Sequence, residues 1–359
     1  MRQHEVLPVQ ISLIMQQIMR VANDIEVFVL TWNRVSLLRE ALGSLLRQTV
    51  APRRIVVVDN ASTDGTLGSL RPIAEGNPHV HLVRQPVHVD ACKNLMTAID
   101  NAETNYFMVM HDDDILDREC ISCFDKVLAE NVEVSMVCSA QRSFRSLSDL
   151  NGRIEDRVWY EVFHSSADFV AADFARFLRR QEDSLCFPSV LYRKDCVSTG
   201  ALQGTLFGKI VDKPLVYGSM GTGKIVRICS PLYNYRNHAG QDTNATSNGP
   251  YPEEILNLLE VYRQMLSGNR LYLKAFKALS IRLMKSLYFW GGNAKGDWHN
   301  FVSEARLRAL TGAVVDRPWR LPFWRWNSKR TCERLLQQAL STVDRRMMRI
   351  DGTSREPDA

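Results

Sequence analysis

Short apolar runs and helically spaced apolar positions take turns along the first part of the chain. Ile25–Leu30 is a run of strand length, and Leu37, Leu38, Ala41, Leu42, Leu45 and Leu46 then line one face of a helix. Ile55–Val58 is a second run, ending at Asp59, and the turn residues Asn60–Gly65 lead into a helix to about Ala74. A strand over His79–Val83, a helix over Asp90–Ala102, a strand over Tyr106–Met110, a helix over Asp117–Leu128 and a strand over Glu133–Ser139 continue the alternation. Continuous apolar strands between helices predict an α/β fold with a mostly parallel sheet covered on both faces.

Beyond residue 140 the pattern weakens. Asn151–Arg157 reads as a polar loop, Ala167–Leu178 as a helix, and Cys186–Tyr192 as an apolar run containing Pro188. Ile225–Cys229 and Leu232–Tyr235 read as two strands parted by Ser230-Pro231. Asn244–Pro252 has the Asn, Gly, Pro and Ser content of a linker, and only helical patterns follow: Ile255–Met265, Leu271–Tyr288, Phe301–Leu310 and Thr331–Met348. Upstream, Ile11, Ile14, Met15 and Ile18 recur at helical spacing. The expected division is an amphipathic helix within 1–23, an α/β body over 24–245 with halves 24–140 and 141–245, and a helical region over 246–359.

Composition narrows the class. Of 359 residues, 45% are hydrophobic and 24% charged, which suits a globular protein and excludes a disordered or collagen-like one. No run approaches the ~18 apolar residues of a spanning helix. The net charge of +5 is uneven, with 19 Lys+Arg against 11 Asp+Glu in residues 251–359. The body therefore does not read as nucleic-acid binding, whereas Trp319, Trp324 and Trp326 interleaved with Arg317, Arg320, Arg325, Lys329 and Arg330 suit an anionic membrane surface through 317–330. Packing of those tryptophans against the core is the competing reading. Gln10, Gln16 and Gln17 interrupt the N-terminal pattern, which does not read as a signal peptide. With eight scattered cysteines and one unpartnered Cys120–Cys123 spacing, a reducing, cytoplasmic setting is expected, peripheral to the inner membrane if the tail docks there. Gly218–Lys224 satisfies the spacing of a phosphate loop, but Ile225 stands where Ser or Thr belongs and a strand follows; the glycines are expected to end a helix and turn into that strand.

The chemistry-bearing residues fall at strand ends: Thr31-Trp-Asn-Arg34 after the first strand, Asp59-Asn60 after the second, and His111-Asp-Asp-Asp114 after the fourth. In parallel sheets ligands bind beyond the carboxyl ends of the strands. Three consecutive aspartates there repel one another, and a bound cation offsets that repulsion.

Val29–Arg34, Ile55–Thr66 and Met110–Leu116, in this order and spacing, resemble the nucleotide-binding half of a family 2 glycosyltransferase of the GT-A fold. Phe207–Asp212 and Ser230–Asp242 resemble the acceptor half of that family, so the likeness covers about residues 24–245. The resemblance implies that Asp59 reads the nucleotide base beside Thr31, Asn33 and Arg34. It places Lys93 and Asn94 near the diphosphate. Asp112, Asp113 and Asp114 cover the acidic motif that meets ribose and a Mn²⁺ or Mg²⁺ ion. His111 replaces the family's usual first Asp, so the assignment of carboxylates is open. Asp113 aligns with the metal contact, Asp114 joins it, Asp112 is assigned to the nucleotide, and His111 is expected to be a packed residue rather than a ligand. Asp212 matches the base of an inverting transfer, with Asp183 as its rival. Arg236 and His238 match an element that closes over the diphosphate, its His reaching the metal.

The implied function is transfer of one sugar from a nucleotide diphosphate donor, UDP favoured over dTDP and GDP, to a hydroxyl of a growing or lipid-linked glycan. Bacterial surface polysaccharide or lipopolysaccharide synthesis is the implied setting. A non-catalytic nucleotide-sugar binding subunit is the alternative. A nucleotidyltransferase is disfavoured, because no Gly-rich basic loop follows the first strand. Oligomerisation is left open.

Overall fold

The computed structural model describes residues 21–150, 155–178, 185–202, 212–240 and 341–350, with single positions within 257–265 and 334–340. Strands β1 (Val21–Thr31), β2 (Ala51–Asp59), β3 (Val80–Arg84) and β4 (Tyr106–His111) alternate with helices α1 (Val35–Leu46), α2 (Thr66–Gly76) and α3 (Ala91–Asp100). A two-residue β5 (Ile115–Leu116), α4 (Cys120–Glu130), β6 (Val134–Phe144), β7 (Arg157–Phe163), α5 (Ser166–Leu178), β8 (Val190–Arg193), α6 (Asp212–Gly218), β9 (Lys224–Arg236) and β10 (Asp344–Arg349) follow. The strands form a single sheet ordered β10-β7-β9-β6-β8-β4-β1-β2-β3, with β5 on β9.

The first half follows the apolar pattern closely. β1 lies parallel between β2 and β4, and β3 is parallel to β2. Successive strand residues point to opposite faces. Phe28, Val56 and Val58 accordingly enter one core, while Val27, Val29, Ile55 and Val57 enter the other. Glu26 is buried inside β1, where Arg54 and the backbone N–H groups of Glu103 and Thr104 satisfy its carboxylate.

The second half departs from expectation in three places, and the N-terminal end of β1 in a fourth. β7 follows the loop expected up to Arg157, over residues for which the apolar pattern predicts no element; its inward Val158, Tyr160 and Val162 alternate with Trp159 and Glu161. β9 is one strand rather than two, because the sheet absorbs Pro231 at register shifts against Ser139–Gln141. The helix expected to reach Met348 gives way to β10, antiparallel to β7. Val21–Asn23 belong to β1, not to an N-terminal helix. The sheet is therefore parallel over β1–β4 and mixed in the remainder, where β4–β8, β6–β8 and β7–β9 are antiparallel. The remainder of the N-terminal helix, the linker at 244–252, the helices placed between 266 and 333, and Asp183 lie outside the described residues.

The phosphate-loop lookalike is structural. Gly218 ends α6, and Gly223 precedes β9 where Lys224 N–H donates to the Glu133 carbonyl at 2.8 Å. A Cβ on Gly223 would collide with that carbonyl oxygen and lie 3.0 Å from both Ser135 N and Ser135 Cβ. Backbone cannot step aside as a side chain does. Gly223→Ala is therefore expected to cost about 2 kcal/mol or more. Gly218→Ala, which meets only Ser198 at 3.7 Å, should stay within about 0.5 kcal/mol. Denaturant midpoints of the two variants check the contrast, and equal midpoints refute it. Cys120 and Cys123 are free and buried, and burial pushes the Cys123 thiol up to about 12, which suits packing rather than redox or metal chemistry.

Candidate active site

Four strands deliver their polar ends to one edge of the sheet. Thr31 and Asp59 are register partners at the ends of β1 and β2, and His111 ends β4 beside Leu30. β9 enters the same edge by pairing its Tyr233 and Asn234 with β5, directly after the three aspartates. Asn33 sits at φ 53°, a left-handed conformation that asparagine tolerates, and this turns the chain so that its backbone N–H meets Ser62 Oγ and its side-chain oxygen accepts from Thr63 N–H. Asn33 thus fastens the loop after β1 to the loop after β2. Asn60 fastens a third loop by two hydrogen bonds to Val89.

The three aspartates have separate environments. Asp112 is buried, accepts from Thr31 Oγ1 at 2.7 Å and lies 3.3 Å from Arg34 Nη1. Burial holds its carboxyl above the usual range. Asp113 Oδ2 lies 3.1 Å from Arg34 Nη1 and 3.0 Å from His238 Nε2. Asp114 is fully buried, with Arg236 N–H on one oxygen at 2.8 Å and the Tyr233 hydroxyl on the other. Arg236 also donates through Nε to the Asp113 carbonyl and pairs with Glu40, while its guanidinium lies 4.6 Å from the Phe144 ring centre. Arg34 reaches Gly240 O through its other nitrogen, at 3.1 Å.

One atom each from His111, Asp113 and Asp114 can be drawn within 4.8 Å of one another. Two carboxylates and an imidazole are a donor set that accepts Mn²⁺ or Mg²⁺. The site residues therefore fit a divalent ion. His111 is not the packed histidine expected from sequence: its side chain is 45% exposed and its Nδ1 lies 3.7 Å from Asp114 Oδ2.

Burial raises the Asp114 carboxyl to about 6, above 3.8 for the unfolded chain. The folded state then binds more protons than the unfolded one between those values. Stability is lost as pH rises through them, by roughly 2–3 kcal/mol. Asparagine keeps an acceptor and a donor but never ionises. In chelator, Asp114→Asn should therefore be more stable than the native protein by about 2 kcal/mol at pH 7, with the gap closing towards pH 4. Paired melting curves across that range check it. A gap that does not change with pH overturns it.

Asp59 is buried at the end of β2, where Ser62 N–H donates to one oxygen and Arg84 lies 3.2 Å from the other. That second oxygen has no hydrogen-bond donor among the described residues. Trp32, missed in the sequence, follows Thr31 in the loop after β1 and is 49% exposed, its ring 4.2 Å from that of His88. Its signal, an aromatic residue inside the loop after β1, was present. Glu40 and Tyr233, which hold Arg236 and Asp114, carried no sequence signal.

Asp212 opens α6. Its neighbour Lys213 reaches Leu185 O at 2.7 Å, and the following turn stacks Phe187 6.3 Å from the His111 ring. Asp212 is thereby brought to the His111 side of the cluster, and His111 contributes to its electrostatic environment. Burial holds its carboxyl above the usual range. Lys93 and Asn94 start α3 apart from this hydrogen-bonded group: Lys93 is exposed and pairs with Asp90 at 3.3 Å, and Asn94 is buried near Gln85.

Comparisons with known proteins bear on the fold that carries these residues. Residues 26–176 match the family model described as Glycosyl transferase family 2. No protein with a curated description matches the chain. Among solved structures, S. aureus TarS 1–349 aligns at 15% identity over 88% of this chain and 90% of that one, with a TM-score of 0.51. The same protein in complex with UDP-GlcNAc aligns at 16% identity over 88% and 91%, with a TM-score of 0.50. At such identities the likeness is one of fold.

Proposed function

We infer, from the premise that residues 26–176 are a family 2 glycosyltransferase domain and the chain a glycosyltransferase, that it transfers a sugar from a nucleoside diphosphate donor to a hydroxyl of a growing glycan with inversion. The observation that carries this reading is the convergence of Asp59, Asp112, Asp113, Arg34, Arg236 and His238 on one sheet edge, with Asp212 entering from the other half.

Asp59, ion-paired with Arg84 at the end of β2, is assigned to the base N–H, and the exposed Trp32 ring offers a stacking face. Thr31, Asn33 and Arg34 shape the adjoining loop, and Asp112 takes the ribose side. Lys93 and Asn94 are assigned to the approach of the diphosphate. His111, Asp113, Asp114 and His238 would hold Mn²⁺ or Mg²⁺, which when bound offsets the charge of the departing diphosphate. Arg34 and Arg236 add fixed positive charge at the same place.

Asp212 accepts the proton of the acceptor hydroxyl as its oxygen bonds to the anomeric carbon. The bond from that carbon to the diphosphate oxygen breaks in the same displacement, and the electron pair leaves with the nucleoside diphosphate. UDP is the favoured carrier, in keeping with the UDP-GlcNAc complex of the similarly folded TarS. A lipid-linked or polymeric glycan of a bacterial surface is the favoured acceptor.

Thermal melting against UDP, dTDP, GDP, CDP and NAD, each with and without Mn²⁺, tests the donor class. Ligand at about 100 times its dissociation constant contributes about 2.7 kcal/mol, several degrees for a chain of this size. A Mn²⁺-dependent rise with one nucleoside diphosphate is expected. A rise with NAD alone, or none with any nucleotide, refutes the donor site.

A further inference from the structure

We propose that the outer face of β7, β9 and β10 docks on an anionic lipid surface. The register of these strands builds an ordered patch. Met347 lies opposite Trp159, Arg345 opposite Glu161, and Arg349 opposite Arg157. On the other side of β7, Glu161 pairs with Arg227 and Tyr160 with Ile228, so Cys229 flanks Trp159. Residues two apart share a face. One face therefore carries the row Cys229, Trp159, Met347, bordered by the arginines 157 and 349 on one side and 227 and 345 on the other.

The apolar row is open to solvent: Trp159 is 50% and Met347 43% exposed, and Cys229 is exposed too. A single exposed apolar side chain calls for no explanation, but a cross-strand pair framed by cations does. Glu161 is the carboxylate within this border. It is buried and already held by Arg176 of α5 at 2.6 Å, with Arg345 at 3.2 Å and Arg227 at 3.7 Å. Arg176 and Arg227 are largely buried around it, so Arg345 is the exposed guanidinium at this border, and Arg157 and Arg349 are exposed at the opposite one.

This chemistry selects the partner. An indole and a thioether enter the headgroup boundary, while arginines hydrogen-bond lipid phosphates around them. A second copy of the chain would set arginines against arginines. A nucleic acid would meet the arginines but leave Met347 without a role.

The experiment is co-sedimentation of the full chain with vesicles of phosphatidylcholine alone and of phosphatidylcholine mixed with phosphatidylglycerol. Binding is expected to the anionic vesicles and to fall with salt. Arg157→Gln and Arg349→Gln should each weaken it about fivefold, and Trp159→Ala by at least as much. All three should keep native melting temperatures within a few degrees, which separates lost docking from lost folding. Undiminished binding by the variants would assign docking to another segment, such as 317–330, and overturn the proposal. Equal binding to both vesicle types, or preferential capture by single-stranded DNA over anionic vesicles, would overturn it as well. Neither result bears on the donor site.

Discussion

Asp212→Asn is expected to lower kcat by about 10³-fold while leaving donor binding within about twofold. A sugar hydroxyl is a poor nucleophile, and its proton must leave as it attacks. A positioned base contributes about 10²–10⁴ to such a step. Asparagine matches the carboxylate in shape but accepts no proton, so α6 should form as before. Because burial holds Asp212 above the usual carboxylate range, the native enzyme's activity should rise with pH through that shifted value, and the variant should lose this limb. Single-turnover rates with the best nucleoside diphosphate sugar, alongside donor-induced melting shifts, provide the check. A variant turning over at near the native rate would remove Asp212 from the reaction and leave Asp183 as the candidate.

Asp113→Ala should be as damaging by a different route. Asp113 is the carboxylate on which Arg34 and His238 meet, and its oxygen belongs to the group that can hold a divalent ion. Removing it takes the shared carboxylate from Arg34 and His238 and deletes a hard oxygen ligand. The Mn²⁺-dependent part of the donor-induced melting shift should disappear, and kcat/KM should fall by about 10³-fold or more. Calorimetric titration of Mn²⁺ into native and variant protein reads the same loss without turnover. Undiminished Mn²⁺ affinity in the variant would transfer the ligand role to His111 and Asp114. Arg34 pairs with both Asp112 and Asp113, so any divalent ion has to compete with that guanidinium.

The first half was legible because its central strands β1, β2 and β4 are buried on both faces over their apolar runs. Val27–Leu30 and Ile55–Val58 have no polar face to confuse the pattern, and the polar residues that follow them become the site. β7 was missed although Val158, Tyr160 and Val162 alternate, because the polar run before it dominated the window. β10 buries only Met348, and its arginines suit an exposed helix as well as an edge strand. Its identity as a strand is set by β7, not by its own sequence. At the site, the triplet Asp112–Asp114 was visible as a motif, but its division of labour was not. Asp114 is tied up by Tyr233 and Arg236, more than a hundred positions away, and no local pattern announces that contact. His111 defied the packed reading because the turn at Phe187 leaves its ring half open.

The pairing of β10 with β7 also dictates a timetable. Its residue pairs are separated by more than half of the chain. During synthesis, β1–β9 leave the ribosome well before Asp344 does, so the domain can assemble the sheet edge that carries the aspartates while β7 still has an unpaired margin. That margin is a ready template for wrong partners until the last strand arrives. Closing so long a loop is slow in rate but only modestly costly in free energy. The outer border of the sheet should therefore form last in refolding and open first in hydrogen exchange, while the strands that hold the aspartates stay protected.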